Sequence, residues 1–223
     1  MEKGITALYK DELYNEYEVI QNLDYSLCKE DKFYDVLTRC MDIVLSLIGL
    51  MIGIPLMIVF GLLIKLEDRG PILYRQRRVG KYGKTFNLYK IRSMKIDAEK
   101  DGARWAQQND PRILKVGKFI RKTRIDEIPQ LFNILKGDMS IVGPRPERPM
   151  FTLQFAEETP KFINRLLVKP GLTGLAQVNG GYEINYKEKL GWDINYIENR
   201  SLHKYIQIIF MTIIVLITGK GAR

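Results

Sequence analysis

Two carboxylates stand side by side at Asp126 and Glu127, and cations crowd them from both directions. Arg121, Lys122 and Arg124 come just before, and Arg145 and Arg148 follow in a stretch broken by Pro144, Pro146 and Pro149. An aspartate can attack phosphorus and leave an acyl phosphate. Adjacent carboxylates also suit Mg2+, a hard cation that takes one or two protein oxygens and completes its shell with substrate phosphates. Arginine forks match phosphate oxygens two at a time. Flanking prolines restrict the backbone that carries Arg145, so less entropy is lost when it engages a ligand. Thr123-x-x-Asp126 has the form of a helix N-cap, which would set the dyad in a first helical turn where free N–H groups favour an anion. Each feature has an ordinary use as well: an Asp-Glu pair compensates a helix dipole, and Arg145 can pair with Glu147 on a surface. Together they describe a site for phosphoryl transfer.

The elements that must position this site begin with a membrane segment. Residues 43–64 carry no charge, and at about 1.5 Å per residue they would reach about 33 Å, against a hydrocarbon core of about 30 Å. A buried core helix is the alternative. Pro55 sits mid-run among Gly49, Gly53 and Gly61, so a kink is expected there. Arg39 precedes the run, and Lys65, Arg69, Arg75, Arg77 and Arg78 follow it. Basic flanks stay cytoplasmic, so a helix that enters, bends at Pro55 and leaves by the same face satisfies both ends. A straight span is left open by the pattern. A second apolar run, residues 206–217, is too short to cross and would lie in the interface, pack on the first segment or join the core.

The remainder reads as a small α+β unit dominated by helices. Residues 72–77 and 85–89 form a hairpin around the 80–83 turn. Helices are expected over 95–107, 112–122, 126–135 and 150–167. Residues 139–143 are extended, 169–174 form a loop, and Gly180-Gly181 forms a turn. The fold class is therefore α+β, mostly helical: a re-entrant membrane helix hairpin joined to a small cytosolic catalytic domain with a short β-hairpin and interfacial amphipathic helices. The boundaries are a polar N-terminal extension (1–35), the membrane hairpin (36–66), the catalytic domain (67–199) and a C-terminal interfacial helix and tail (200–223).

Composition narrows the chemistry. Lysine and arginine number 35 against 26 acidic residues, a formal charge of +9 that favours anionic partners. His203 is the single histidine, which excludes multi-His metal sites and leaves little room for His-based catalysis. Cys28 and Cys40 form no CxxC, so neither zinc nor a disulfide framework is indicated. No signal peptide opens the chain, whose first 35 residues are polar and acid-rich. No nucleic-acid motif is present, so no nucleic-acid partner is expected.

Three blocks resemble the monotopic phosphoglycosyl transferases, bacterial sugar transferases that start glycan assembly on undecaprenyl phosphate. They are GPILYRQRRVGKYGKTFNLYKIRSM (70–94), RKTRIDEIPQLFNILKGDMSIVGPRPE (121–147) and KPGLTGLAQVNG (169–180), and the likeness extends over residues 36–223. The resemblance implies that Asp126 attacks the β-phosphate of a UDP-sugar, that UMP leaves, and that polyprenol phosphate then takes the phosphosugar. Glu127 would assist as dyad partner, with Mg2+ held by both carboxylates. Arg121, Lys90 and Arg92 would meet phosphates, and Pro144, Arg145, Pro146, Glu147 and Arg148 would face the nucleotide. Pro55 would break a re-entrant helix, placing a monotopic enzyme on the cytoplasmic face of the inner membrane among its lipids. The branch tilts the sugar towards glucose or galactose, with N-acetylated sugars also open, as is a homo-oligomer. Larger relatives carry an N-terminal multi-helix membrane module where this chain has its polar stretch. A non-catalytic membrane scaffold and a sequential enzyme using Asp126 only as a ligand are the competing readings.

Overall fold

The computed structural model describes residues 14–100, 110–180 and 184–218. A short helix, α1 (Glu16–Gln21), precedes the element that organises the rest. The Asp31 carboxylate accepts from the Tyr34 backbone N–H at 2.9 Å, and from this cap α2 runs over Lys32–Glu67. At about 1.5 Å per residue α2 is about 54 Å long, and it is apolar enough to cross a membrane. Pro55 sits inside this helix, whose hydrogen-bonded run continues on both sides of it. Its missing N–H leaves the Met51 carbonyl without a helical partner. Packing on either side of Pro55 keeps both halves on the same domain.

That packing follows a stripe at helical spacing: Thr38, Asp42, Ser46, Leu50, Gly53, Gly61 and Ile64 are buried. The opposite face is apolar and exposed, including Val44, Leu47, Met51, Val59 and Leu62. Both ends are tied down by polar contacts. Arg39 donates to the Ile134 and Leu135 carbonyls at 2.6 and 2.8 Å. Asp42 Oδ1 accepts from Ser140 Oγ, the Ile141 N–H and Tyr205 OH at 3.0, 2.7 and 2.6 Å. At the far end Glu67 accepts from the Lys115 and Val116 N–H groups at 2.6 and 2.9 Å. It thereby caps α3 (Lys115–Lys122), whose own first residues supply no side-chain cap.

β1 (Leu73–Val79) and β2 (Thr85–Ile91) pair antiparallel, Leu73 opposite Ile91 and Val79 opposite Thr85, each two residues longer at its C-terminal end than the pattern suggests. α4 (Gln130–Lys136) follows the dyad, and the left-handed Gly137 (φ 91°) ends it. β3 (Ser140–Val142) pairs in parallel with β4 (Gly171–Thr173). The 169–174 segment is thus partly strand rather than loop; three residues are too few to show a period of two. α5 (Pro149–Glu158) stops at Thr159-Pro160, and a 3-10 turn over Pro160–Leu167 replaces the rest of the expected helix. Of the helix expected over 95–107, residues 96–100 are turns and 101–109 lie outside the described residues. Gly180 closes α6 (Leu175–Asn179), and Gly181 lies outside them too. α7 (Tyr186–Glu198) starts on the Asn185 cap, and α8 (Leu202–Thr218) carries the second apolar run. The core has three clusters, around Leu166, Tyr196 and Ile208, around Leu50, Leu131 and Ile134, and around Ile64, Leu114 and Ile120. α2 contributes to the second and third directly.

Contact between α2 and the dyad loop leaves no room for a side chain. A Cβ at Gly53 would lie 2.5 Å from Ile128 Cγ2, the branched carbon of a residue next to the site. Gly53→Val should therefore lower stability by about 1–3 kcal/mol through overpacking and reduce activity with it. Thermal melting of the purified variant checks this, with Gly53→Ala expected to be milder.

Candidate active site

The dyad is held by a tight, irregular bend. Thr123 does not cap a helix that carries Asp126; its Oγ1 turns back to the Phe119 carbonyl at 2.9 Å and closes α3. Arg124 then takes a left-handed conformation (φ 59°, ψ 14°), unusual for a residue with a side chain. Asp126 and Glu127 sit in the 3-10 turn that follows, Ile125–Glu127. A helix starting at Asp126 fails for a simple reason. Pro129 has no N–H to give the Ile125 carbonyl, so regular helix waits until Gln130. The dyad is thus surrounded by side chains rather than by the free N–H groups of a helix terminus.

Both carboxylates are buried, Asp126 5% and Glu127 7% exposed. Glu127 Oε1 accepts from Arg145 Nη2 and lies 3.2 Å from Lys90 Nζ, while Oε2 is 3.8 Å from Arg124 Nη1. Burial pushes the Glu127 carboxyl upward, but Arg145, Lys90 and Arg124 outweigh it and hold it well below the usual carboxylate range. Asp126 has the opposite balance. Burial raises its carboxyl to about 6, Lys90 opposes that, and the Glu127 charge adds to it. Asp126 Oδ1 is buried without a hydrogen-bond partner, as is Arg121 Nε. Arg121 is close enough for its charge to act on Asp126. The site therefore joins a saturated carboxylate to a neighbour with an unspent oxygen, close to Arg121, whose buried Nε also has no partner.

Arg145 reaches Glu127 from a loop whose backbone is fixed at four consecutive carbonyls. Pro144 O accepts from the Gly171 N–H at 2.9 Å, and Arg145 O from Arg165 Nη2 at 2.8 Å. Pro146 O accepts from Arg78 Nη1 at 2.9 Å, and Glu147 O from the Val79 N–H at 2.9 Å. Arg165 is itself buried against Asp193, with its Nε and Nη2 at 3.0 and 2.6 Å from Oδ2. Removing one member of such a buried pair strands the other's charge, so the clamp on Arg145 is stiff.

Lys90, Arg121 and Arg145 thus gather at the dyad, with Pro144 and Pro146 shaping the loop. Three other predicted residues are engaged elsewhere. Glu147 pairs with Lys189 and lies 3.7 Å from Arg165 and 3.8 Å from Arg78. Arg148 Nη1 lies 3.2 Å from Glu99. Arg92 is bound to Asp68 at the end of α2, 2.6 Å from its Oδ2 and 2.5 Å from its carbonyl. Sequence reasoning did not assign Arg165, Asp193 or Lys189 any role, and no local spacing signals a pair 28 positions apart.

The residues fit Mg2+ in one specific manner. Among the described residues no group of three or more acidic, His or Cys side chains could enclose a metal. The unpartnered Asp126 Oδ1 is free to meet one; Glu127 has its oxygens largely committed. This is the donor set of an ion held jointly by one or two carboxylates and the phosphates of a substrate.

Fold and site together define a membrane-contacting protein with a buried, cation-ringed carboxylate suited to phosphoryl chemistry. The model of one family, described as bacterial sugar transferase, matches residues 33–219. The chain belongs to the bacterial sugar transferases. A Bacillus subtilis protein, provisionally named an undecaprenyl-phosphate N-acetylgalactosaminyl 1-phosphate transferase, is 58% identical over 151 residues, covering 68% of this chain and 84% of that protein. The UDP-N-acetylgalactosamine-undecaprenyl-phosphate N-acetylgalactosaminephosphotransferase of Aeromonas hydrophila is 47% identical, over 85% of this chain and 46% of its own length. The undecaprenyl-phosphate galactose phosphotransferase of Salmonella typhimurium is 40% identical, over 83% of this chain and 41% of its own length. The chain thus spans less than half the length of the last two.

Burial of Asp126 makes a stability claim with a definite sign. A carboxyl raised to about 6 in the folded state favours folding while it is protonated and loses that favour as pH rises through 6. Asp126→Asn removes the cost of the buried charge. Its melting temperature should exceed that of the wild type at pH 8, by about 2–4 °C for each kcal/mol relieved. The gap should narrow below pH 6 and close below pH 4, which thermal melts at several pH values will check.

Proposed function

We propose that this chain transfers a sugar 1-phosphate from a UDP-sugar to undecaprenyl phosphate, releasing UMP, at the start of polysaccharide, capsule or glycoconjugate assembly. The observation that carries this reading is the unpartnered, buried Asp126 oxygen beside a Glu127 already neutralised by three cations. In its ionised form Asp126 attacks the β-phosphorus. The bond between that phosphorus and the bridging oxygen breaks, and UMP departs with the electron pair. The phosphosugar stays on Asp126 as an acyl phosphate. An oxygen of the lipid phosphate then attacks the same phosphorus, forming a diphosphate and returning the carboxylate. Arg121 and Arg145 stabilise the charge that builds on the phosphates, and the clamped proline loop keeps Arg145 from having to reorganise. Asp126 would help hold Mg2+, which when bound would neutralise charge on the leaving nucleotide.

Membrane placement supports the same reading. Both ends of α2 are bonded to one catalytic domain, at Arg39 and Asp42 and again at Glu67 and Asp68. A helix spanning the bilayer would carry its ends to opposite sides. We therefore favour a monotopic enzyme on the cytoplasmic face of the inner membrane, with the exposed apolar faces of α2 and α8 in the lipid. The acceptor's phosphate can then meet Asp126 without leaving the interface. For the donor we favour UDP-N-acetylgalactosamine, because the relatives at 58% and 47% identity are both named for that sugar, ahead of galactose or glucose.

The test is UMP release from a panel of UDP-sugars with Mg2+ and undecaprenyl phosphate in nanodiscs. UDP-N-acetylgalactosamine should give the fastest release, and Asp126→Asn should abolish it. With Asp126 at about 6, kcat/KM should fall as pH drops through 6, since only the ionised carboxylate attacks. Absence of UMP with every donor from a folded protein would favour a scaffold.

A further inference from the structure

A polar cavity of about 150 Å3 is lined by Arg39 and Lys169, which stand beside Gly137 at the C-terminal end of α4, the end away from the dyad. Its floor is the first turns of α2, and Lys81, Lys169 and Arg200 stand around it. None of the catalytic residues lines it. The charges do not balance. Arg200 Nη1 pairs with Asp35 at 3.2 Å, which neutralises both. Asp42 Oδ1 already accepts three hydrogen bonds. That leaves Arg39, Lys81 and Lys169 against this single occupied carboxylate.

Among the described residues none of these three cations forms an ion pair, and Asp42 and Asp35 act on Lys169 only through their charges, more weakly than burial and Arg39. Arg39 donates to two backbone carbonyls, and Lys81 Nζ rests 4.6 Å above the Tyr82 ring. Lys169 Nζ makes no hydrogen bond or ion pair with any described residue, although it is half-buried. It also lies beside Arg39: a Cβ at Gly137 would be 3.7 Å from Lys169 Nζ and 3.8 Å from Arg39 Nη2. Burial, and then the Arg39 charge, push the Lys169 ammonium down, the direction expected of a cation lacking an anion. Compensation of the α4 dipole accounts for Arg39, whose donors reach the last carbonyls. It does not account for Lys169, which reaches none, or for Lys81.

The cavity also has a definite place relative to the apolar surface. It sits where α8 meets α2, at the Tyr205–Asp42 bond. Past that point most exposed residues of both helices are apolar, including Val44, Leu47 and Ile48 on α2 and Phe210, Ile214 and Ile217 on α8, with Gln207 and the far ends of the helices the polar exceptions. A volume near 150 Å3, where a single water needs about 10–15 Å3 on the same measure, has room for a tetrahedral phosphate. We propose that this cavity is a phosphate-binding site separate from the catalytic one, occupied by the phosphate of a membrane lipid headgroup or by a free phosphate. The lipid source rests on the membrane contact proposed above, and the free-phosphate source does not.

Amine acetylation of the full chain in maltoside detergent, read at single lysines by peptide mass spectrometry, tests this directly. The probes are phosphatidylglycerol in mixed micelles, a glycosyl diacylglycerol of the same chains lacking phosphate, and inorganic phosphate against chloride at equal ionic strength. Labelling of Lys169 should slow about tenfold once a phosphate probe exceeds its dissociation constant about tenfold, while the exposed Lys118 is unaffected. Protection by phosphatidylglycerol alone assigns the lipid source, and protection by inorganic phosphate assigns the free one. Asp126→Asn should show the same protection, whatever its activity, and Lys169→Gln should lose protection at Lys81. The proposal is overturned if Lys169 labels equally fast with every probe, if the glycolipid protects as well as phosphatidylglycerol, if Lys118 is protected in step, or if Asp126→Asn abolishes the effect.

Discussion

The site is built around the difficulty of burying two adjacent carboxylates. Two like charges in a poorly solvated place cannot both stay ionised unaided. The chain resolves this unequally, spending Lys90, Arg124 and Arg145 on Glu127 and leaving Asp126 with an unpartnered oxygen. Those cations come from a strand, a left-handed residue and a proline loop, so the hairpin, the bend and the loop must all be rigidly placed for the imbalance to persist. An oxygen already saturated by hydrogen bonds is a poor nucleophile, whereas a buried, unsatisfied one beside cations is what the proposed attack on phosphorus requires.

Rigidity is supplied from two directions. From below, α2 packs its glycines directly on the dyad loop and on α4, with Gly53 against Ile128 and Gly49 against Leu131. The long apolar helix is therefore also the element that supports the dyad. From the side, the parallel β3–β4 pair and the buried Arg165–Asp193 pair grip the proline loop. The same architecture explains why Glu147 is buried beside the site without facing it. Its carboxylate joins Lys189, Arg165 and Arg78 into one network behind the loop, fixing the backbone from which Arg145 projects.

Much of this was legible in the sequence, for physical reasons. The hairpin, the apolar helix, the dyad and its nearest cations are local features, set by alternation, length and neighbouring charge. The family blocks singled out Asp126, Glu127, Arg121 and Arg145 together. What the sequence concealed was nonlocal or subtle. Pro129 displaces the helix start past the dyad, and a capping pattern at Thr123 masked that. Arg92 looked like one more phosphate cation, yet it anchors the end of α2 through Asp68. Arg165 and Asp193 find each other only in three dimensions, as do Asp42, Ser140 and Tyr205. The packing of Gly53 and Gly61 on either side of the central Pro55 was equally hidden in the sequence.

The central claim is that Asp126 carries the phosphosugar. The most direct measurement is rapid-quench mass spectrometry of the protein mixed with UDP-N-acetylgalactosamine and no lipid. The account predicts a phosphosugar adduct on the peptide containing Asp126, formed as UMP appears and discharged when undecaprenyl phosphate is added. An enzyme that releases UMP only together with lipid, with Asp126 unmodified at every time point, would instead make Asp126 a ligand or a base and contradict the account.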